Sequence, residues 1–268
     1  MASDNPAWRE VLSPPPRFTT ICVIILSMTK LLKEAANPGQ YDVIDWASEA
    51  KGLQSPMRAF FWEYLSKTMG DLKGKSVLDI GSGTGWLLEV VTKKGAKRAI
   101  GVEPSMSNFQ SSQKLYPNTT TINTSFEKYS DDTKFDYITG LLSVIHIIDL
   151  GTAFIKMNNL LSKDGKILLI VSDYNYWKQP RYDYKVEIED INPDEFVTRT
   201  TRSFGPLTSI VRKPHVYTEL AQQAGLVLDS HIPMIPTKKL IKQEQKYGSM
   251  QNSPIMHLFL FKKDTRVS

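Results

Sequence analysis

Apolar residues recur with two spacings along most of the chain. Over Met57–Met69 they return every three to four positions, which is typical of an amphipathic helix, and Pro56 suits its first turn. The run Ser76–Ile80 is short and almost wholly apolar, as in a strand that is buried on both faces. Helical and strand patterns alternate after this point. That alternation predicts βαβ units and an open, mostly parallel sheet with helices on both faces.

The remaining elements follow at short intervals and complete an α/β pattern. We predict further strands at Arg98–Glu103, Thr119–Thr124, Phe135–Leu141, Gly165–Ser172, Leu226–His231 and Met256–Lys263. We predict further helices directly after Gly85 and at Met106–Leu115, Gly151–Leu161 and Val216–Ala224. Residues 173–214 are rich in Tyr, Asp, Arg and Pro and contain no long apolar run. We interpret them as a substrate lid or insertion after the fifth strand, with short extended pieces near Glu195–Arg202 and Ser209–Arg212.

The first 38 residues follow neither pattern. Pro14, Pro15 and Pro16 indicate a flexible start, after which we expect a short helix that packs on the body of the protein. The apolar run Ile21–Leu26 is much shorter than the ~18 residues that a spanning helix needs, and it resembles a signal peptide only faintly. We therefore expect an N-terminal extension over residues 1–38, a main domain over 39–268, no membrane span and a cytoplasmic location.

Composition narrows the classes of function. With 268 residues, of which 41% are hydrophobic and 23% charged, the chain can bury one large core without disulfide or metal staples. Cys22 is the single cysteine, which excludes an intrachain disulfide and a cysteine-based zinc cluster. The four histidines are scattered, so we expect no metal site. The net charge of +5 is spread along the chain, so we expect no nucleic-acid partner, while the oligomeric state stays open.

The most informative segment is the glycine-rich turn GSGTG at Gly81–Gly85, between a predicted strand and a predicted helix. Glycines let the backbone turn tightly and bring a ligand against the main chain. The amide groups that begin the following helix point toward such a ligand. Glu103 ends the next strand, and ligands of open parallel sheets bind at these carboxyl ends. An acid there can accept hydrogen bonds from two ribose hydroxyls.

Two details of this segment decide between cofactor classes. A dinucleotide site has the pattern G-x-G-x-x-G, but Trp86 occupies the position of the third glycine. Asp79 stands two residues before Gly81, where a carboxylate would repel a pyrophosphate and would suit an ammonium group. The charge argument therefore favours S-adenosylmethionine over NAD.

The sequence also resembles a known family at these positions. VLDIGSGTG, then GVEPS, then FDYITGLLSVIHIID are similar to the class I S-adenosylmethionine-dependent methyltransferases, in the small-molecule branch that includes ubiquinone/menaquinone-biosynthesis enzymes. The resemblance covers roughly Tyr41–Lys263. It implies a Rossmann-like sheet of seven strands whose last strand runs antiparallel, and an enzyme that uses S-adenosyl-L-methionine to methylate a small molecule.

The resemblance also implies roles for individual residues. The methionine part of the cofactor would be held by Asp79, Gly81, Ser82 and Gly83. The ribose would be bound by Glu103, and the adenine would be flanked by Pro104, Ser105 and Met106. Ser125 and Phe126 match the position that contacts the adenine amine, and Leu141 matches a position whose backbone faces the cofactor.

Methyl transfer from a sulfonium is an in-line displacement, so the protein mainly holds the reactants and excludes water. A hydroxyl acceptor also needs a general base, and our candidates are His146, His215 and Tyr41. Three arginines in or beside the insertion could bind a carboxylate or a phosphate: Arg181, Arg199 and Arg212. Five aromatic residues there could surround an apolar or cationic substrate: Tyr174, Tyr176, Trp177, Tyr182 and Tyr184.

Two other interpretations stay open at the level of sequence. An RNA or protein methyltransferase would carry an N/D-P-P-Y/F motif after the fourth strand, where this chain reads GLLS at Gly140–Ser143. A non-catalytic module that binds S-adenosylmethionine would keep the fold and the glycine turn without turnover.

Overall fold

The computed structural model describes residues 30–42, 52–179, 185–202 and 205–266. The apolar run at residues 21–26, Cys22 and the proline run lie outside the described residues, as do Arg181, Tyr182 and Tyr184. Across the described ranges, no helix combines the length and the apolar content that crossing a bilayer requires.

The described residues form alternating strands and helices. The strands are β1 (Ser76–Ile80), β2 (Arg98–Val102), β3 (Thr120–Ile122), β4 (Phe135–Leu141), β5 (Leu161–Ser172), β6 (Lys185–Asn192), β7 (Glu195–Arg202), β8 (Gly205–Arg212), β9 (Leu226–Met234) and β10 (Met256–Lys263). The helices are α1 (Lys30–Ala35), α2 (Pro56–Met69), α3 (Trp86–Lys93), α4 (Met106–Leu115), α5 (Leu150–Leu160), α6 (Tyr174–Lys178), α7 (Pro214–Gln223) and α8 (Lys238–Gln243). Short 3₁₀ turns occur at Pro38–Tyr41, Gly52–Gln54, Val144–His146 and Gln245–Met250.

Seven strands form the central sheet in the order β3-β2-β1-β4-β5-β10-β9. β10 lies antiparallel to both of its neighbours, β5 and β9, whereas the pairs among β3, β2, β1, β4 and β5 are parallel. This arrangement confirms the α/β class, the seven strands and the antiparallel last strand that the family resemblance implies. Because the sheet is parallel through its centre, the carboxyl ends of β1, β2 and β4 open at one edge.

A hydrophobic core covers each face of this sheet, which is why its central strands consist of continuous apolar runs. On one face, Phe154 of α5 packs on Phe261 of β10, and Tyr217 of α7 packs on Phe259 of the same strand. On the other face, Leu65 of α2 and Leu87 of α3 join the second core. The predicted strands and helices of this layer are confirmed, with boundaries that differ by a few residues in several of them.

The strands β6, β7 and β8 form a second, smaller sheet that sequence patterns predicted only in part. The extended pieces predicted within the insertion are β7 and the second half of β8, and β6 completes an antiparallel sheet in the order β6-β7-β8. We call these three strands the roof sheet. The α1 residues Leu32 and Ala35 pack against Val197 and Ile210 of this sheet, so α1 lies on the roof sheet.

Gly101 of β2 packs closely against the glycine-rich turn and α3, and this packing can be tested. A Cβ atom added at Gly101 would lie 2.6 Å from the Cβ of Ser82 and 2.8 Å from Cδ1 of Leu88. We expect Gly101→Ala to lower the free energy of unfolding by about 1–3 kcal/mol, since the buried turn must shift to make room. Thermal and urea denaturation measure this change. Gly248→Ala is the matched control because nothing lies within 4 Å of its added Cβ; equal stability of both variants would contradict the packing.

Candidate functional site

The turn of residues 81–85 connects β1 to α3 and is fixed to the neighbouring strand. Gly81, Gly83 and Gly85 have φ angles of 63°, 55° and 83°, in the left-handed region that favours glycine. The amides of Gly81 and Ser82 both donate to the carbonyl of Val102 at the end of β2, over 2.8 and 3.1 Å. The turn is therefore held in shape by the sheet itself, and its backbone faces the edge at which β1 and β2 end.

Glu103 follows β2 and joins this turn to the next loop. Its side chain is 4% exposed. Oε2 accepts a hydrogen bond of 2.7 Å from the amide of Gly83, and Oε1 accepts one of 2.9 Å from the amide of Ser105. Burial raises the pKa of this carboxyl, although the two amides oppose the rise. The acid predicted to bind ribose thus also organises the loops on either side of it.

Asp79, at the carboxyl end of β1, is a second buried acid at the same edge. It is 3% exposed, and its Oδ1 accepts a 2.6 Å hydrogen bond from the hydroxyl of Thr139 on β4. Burial raises the pKa of Asp79 to about 7, a rise that Thr139 opposes and the charge of Glu103 increases. Among the described side chains, no salt bridge reaches either carboxylate.

These groups line a cleft of about 410 Å³ at the carboxyl ends of the strands. Most of the residues predicted to bind cofactor contribute to its wall: Asp79, Gly81, Ser82, Gly83, Glu103, Pro104, Ser125, Phe126 and Leu141. Ser105 and Met106 lie outside the wall. Ser105 is buried as the cap of α4, where its hydroxyl accepts from the amide of Asn108, and Met106 is 49% exposed.

Two of the three predicted bases, Tyr41 and His146, meet in this cleft although they are far apart in sequence. The Tyr41 hydroxyl is hydrogen bonded to Nε2 of His146, and Nδ1 of His146 lies 2.9 Å from the carbonyl oxygen of Ala35. A carbonyl only accepts, so Nδ1 carries the proton and Nε2 is left as the acceptor for Tyr41. Burial lowers the pKa of His146 to about 4, which keeps the imidazole neutral near neutral pH.

The third predicted base, His215, lies elsewhere. It occupies the first turn of α7, its side chain is 46% exposed, and its Nε2 is 3.4 Å from Asp194. It is not part of the cleft wall. The position directly after Pro214 places it at a solvent-facing helix start, so the structure does not bring this histidine to the site.

Arg58 on α2 is a cleft residue that sequence reasoning missed. Its Nη2 donates to the hydroxyl of Thr84 over 3.0 Å, and its guanidinium lies 5.7 Å from the ring centre of Trp86. Its Nη1 is buried without a hydrogen-bond partner, as are the hydroxyls of Ser82 and Ser143 in the same wall. Buried polar atoms are rarely left unpaired, so these three groups indicate a polar ligand. No motif marks Arg58, because α2 reads as an ordinary amphipathic helix.

The N-terminal strap, residues 36–42, closes one side of the cleft. Asp42 accepts hydrogen bonds from the Ser105 hydroxyl and the Ser107 amide, over 2.7 and 3.2 Å. Gln40 accepts a 2.7 Å hydrogen bond from the amide of Thr208 on the roof sheet. The strap therefore connects the loop after β2 to the roof. Residues on both sides of the predicted boundary at 38/39 line one cleft.

Comparison with known proteins agrees with this geometry. The family model described as a methyltransferase domain matches residues 50–248. A ubiquinone biosynthesis O-methyltransferase of Bradyrhizobium diazoefficiens is 32% identical over 118 residues, which cover 42% of this chain and 45% of that protein. A tRNA U34 carboxymethyltransferase of Ruthia magnifica is 26% identical over 149 residues, covering 53% of this chain and 45% of that protein. The chain thus spans about half the length of the curated relatives it matches.

Solved structures share the fold at low sequence identity. An S-adenosylmethionine-dependent methyltransferase from Mesorhizobium loti superposes with a TM-score of 0.62 at 16% identity, covering 78% of this chain and 100% of that one. A glycopeptide N-methyltransferase solved with S-adenosyl-L-methionine superposes with a TM-score of 0.57 at 14% identity, covering 80% of this chain and 95% of that one. At these identities the likeness establishes the Rossmann-like fold.

Gly83 provides a test of the cleft as a binding site. A Cβ added there meets no protein atom within 4 Å, so it would occupy open space in the cleft wall. We expect Gly83→Ala to weaken binding of S-adenosylmethionine, the ligand implied by the sequence, by roughly tenfold or more, and to lower stability by about 1 kcal/mol through strain at positive φ. Calorimetric titration and thermal denaturation measure the two effects.

Gly74 supplies the matched control for this variant. It also has a positive φ, of 72°, and open space at its Cβ, but it lies in the exposed turn before β1, away from the cleft. Gly74→Ala should show the same loss of stability with unchanged affinity. Equal affinities of the two variants would show that ligand does not approach the backbone at Gly83.

Proposed function

The chain belongs to the methyltransferase-domain family, and from this premise we propose that it transfers a methyl group from S-adenosylmethionine to a small-molecule acceptor. The observation that carries the proposal is the pair of buried carboxylates, Asp79 and Glu103, beside a glycine-rich turn. Burying a carboxylate without a partner is costly, and each further charge of the same sign adds to the cost. A ligand that brings positive charge and hydrogen-bond donors relieves both costs.

S-adenosylmethionine has the groups that these residues require. Its ammonium group suits Asp79, and its ribose hydroxyls suit Glu103, whose oxygens retain lone pairs beyond the two amides. Arg58 offers an unpaired Nη1 to the carboxylate of the methionine part, since guanidinium and carboxylate form charge-assisted hydrogen bonds. A dinucleotide would place a pyrophosphate beside the two acids, which the same electrostatics disfavours.

Several features support a small-molecule acceptor and transfer to oxygen. The strap and the roof sheet both contribute to the wall of the cleft, whose volume is typical of small-molecule sites. The Bradyrhizobium relative is named as an O-methyltransferase of ubiquinone biosynthesis, although the chain spans only 45% of it. A hydroxyl acceptor needs a base, and the hydrogen-bonded Tyr41 and His146 in the cleft are our candidates for it.

The chemistry then requires little from the protein beyond positioning and proton removal. When bound, S-adenosylmethionine supplies a methyl group activated by a sulfonium, which keeps the bonding electrons as the acceptor oxygen takes the methyl carbon. We assign proton removal to Tyr41 and His146: the acceptor hydroxyl gives its proton to the Tyr41 oxygen as Tyr41 gives its own proton to Nε2 of His146. Burial lowers the pKa of His146 to about 4, so the imidazole is neutral near neutral pH and can accept the proton, while the same burial disfavours the imidazolium that this step forms.

The ionisation of Asp79 predicts a pH-dependent affinity for cofactor. Since burial raises the pKa of Asp79 to about 7, the carboxyl is largely protonated at pH 5 to 6 and ionises as the pH rises to 7. The affinity for S-adenosylmethionine should therefore increase over this range, with release of a proton on binding. Titration calorimetry in buffers of different ionisation enthalpy measures both. The same ionisation lowers the stability of the ligand-free protein as the pH rises from about 4 to 7.

Asp79→Asn should weaken binding and remove most of this pH dependence. Asp229→Asn is the control, because Asp229 pairs with Lys262 on β10, outside the cleft wall, and should leave the dependence intact. An affinity that is flat between pH 5 and 7 in the wild-type protein would refute the assignment of Asp79 as the partner of the ammonium group.

The proposed proton path predicts a loss of turnover without a loss of cofactor binding. Tyr41→Phe and His146→Asn should each lower the rate of methyl transfer by roughly 10²-fold or more, since general-base catalysis contributes this much. Transfer of labelled methyl groups into a metabolite extract measures the rate, and calorimetry measures the affinity for S-adenosylmethionine. His215→Asn is the control, as His215 lies outside the cleft wall. Normal rates in both cleft variants would exclude the path.

A further inference from the structure

Resting on the proposed function, we infer that the acceptor is an electrically neutral hydroxyl compound, and that the roof sheet selects it because its described side chains that line the cleft carry no charge. The part of the cleft away from Asp79 and Glu103 is walled by the roof sheet and the turn after β4. We call it the acceptor chamber, and it is lined by Ile145, Ile147, Thr198, Thr200, Leu207 and Ser209.

The buried guanidinium of Arg212 is paired with an acid of the roof sheet. It is 4% exposed and lies at the end of β8, next to the cleft but outside its wall. Its Nε donates to Glu195 over 2.9 Å, and its Nη2 donates to the carbonyls of Ile147 and Ile148 over 2.9 and 3.3 Å. The guanidinium thus holds the backbone behind the chamber, and Glu195 neutralises it. Its Nη1 is buried without a hydrogen-bond partner, and Arg212 itself is not part of the cleft wall.

Four other cations of residues 173–214 form ion pairs with acids. Arg199 has its Nε 3.6 Å from Glu34 of α1, which lies on the roof. The remaining pairs, with distances of 2.7 to 3.8 Å, are Lys178 with Asp190, Lys185 with Glu187 and Lys213 with Asp194. Within the parts of this segment that the structure describes, no cationic side chain enters the wall of the cleft.

The strand period explains why the chamber is polar without being charged. Side chains alternate between the two faces of β7, so Thr198 and Thr200 face the chamber while Val197 faces α1. Both threonines are buried, at 1% and 2% exposure. Hydroxyls beside Ile145, Ile147 and Leu207 can bind the hydroxyl groups of a neutral molecule and pack on its apolar surface. A charged group of either sign there would lose its hydration without gaining an opposite charge, because the roof-sheet residues of this wall include neither a cation nor an acid.

The charge of the product tests the inference. The wild-type enzyme is incubated with a metabolite extract and methyl-labelled S-adenosylmethionine, and the products are separated on anion- and cation-exchange resins at pH 7. We expect the enzyme-dependent label to pass through both resins. Label retained by either resin would overturn the neutral acceptor while leaving methyl transfer in place. Absence of label from every fraction would instead overturn the proposed transfer itself.

A matched pair of variants tests the role of the chamber wall. Thr200→Arg places a cation in the chamber, whereas Thr201→Arg places the same residue on the exposed side of the same strand. We expect the first variant to lower neutral labelled product by roughly tenfold or more, since it buries an unpaired charge beside the acceptor, and the second to leave it unchanged. Both should bind S-adenosylmethionine as the wild type does. Equal yields of neutral product from both variants would overturn the chamber assignment.

Discussion

The loss of hydration by two carboxylates at adjacent strand ends is the constraint on which the site depends. Asp79 and Glu103 are nearly inaccessible, and no described cation pairs with them. What stabilises them in the ligand-free protein is hydrogen bonding, from Thr139 to the first and from the amides of Gly83 and Ser105 to the second. These bonds shape the loops but leave two buried acids facing one cleft. The parallel sheet imposes this proximity, because β1 and β2 end at the same edge.

Sequence reasoning located this part of the site because its signals are local. A strand, a glycine-rich turn, a helix and a following acid occupy one short segment, and topology brings their ends together. The strap gave no such signal. Gln40 meets the amide of Thr208 across 168 positions, and Tyr41 meets His146 across 105. Contacts at these separations depend on the tertiary fold, so the proximity of Tyr41 and His146 could not be read from their spacing.

The roof sheet was predicted incompletely for a related reason. In β7, Val197 and the threonines are compatible with a half-buried strand. However, Val197 is covered by α1 rather than by the main core. A segment that packs against a distant helix needs no long apolar run, so composition predicted a lid or insertion with only short extended pieces. Arg58 was missed for the opposite reason, because it occupies an ordinary polar position on a well-formed helix. Its importance comes from Nη1, an unpaired atom that it places in the cleft.

The wall of the cleft differs in character between its two ends, and this difference separates two kinds of recognition. At the end near Asp79 and Glu103, fixed charges and backbone amides favour one charged ligand strongly. At the roof end, cations are retained in pairs such as that of Arg212 with Glu195, so the wall offers hydroxyls and apolar surface instead. Discrimination there depends on the favourable hydration that a charged molecule would lose on entering the chamber. In the proposed function, a single cleft binds a cationic cofactor and rejects charged acceptors, because the two selections use different residues.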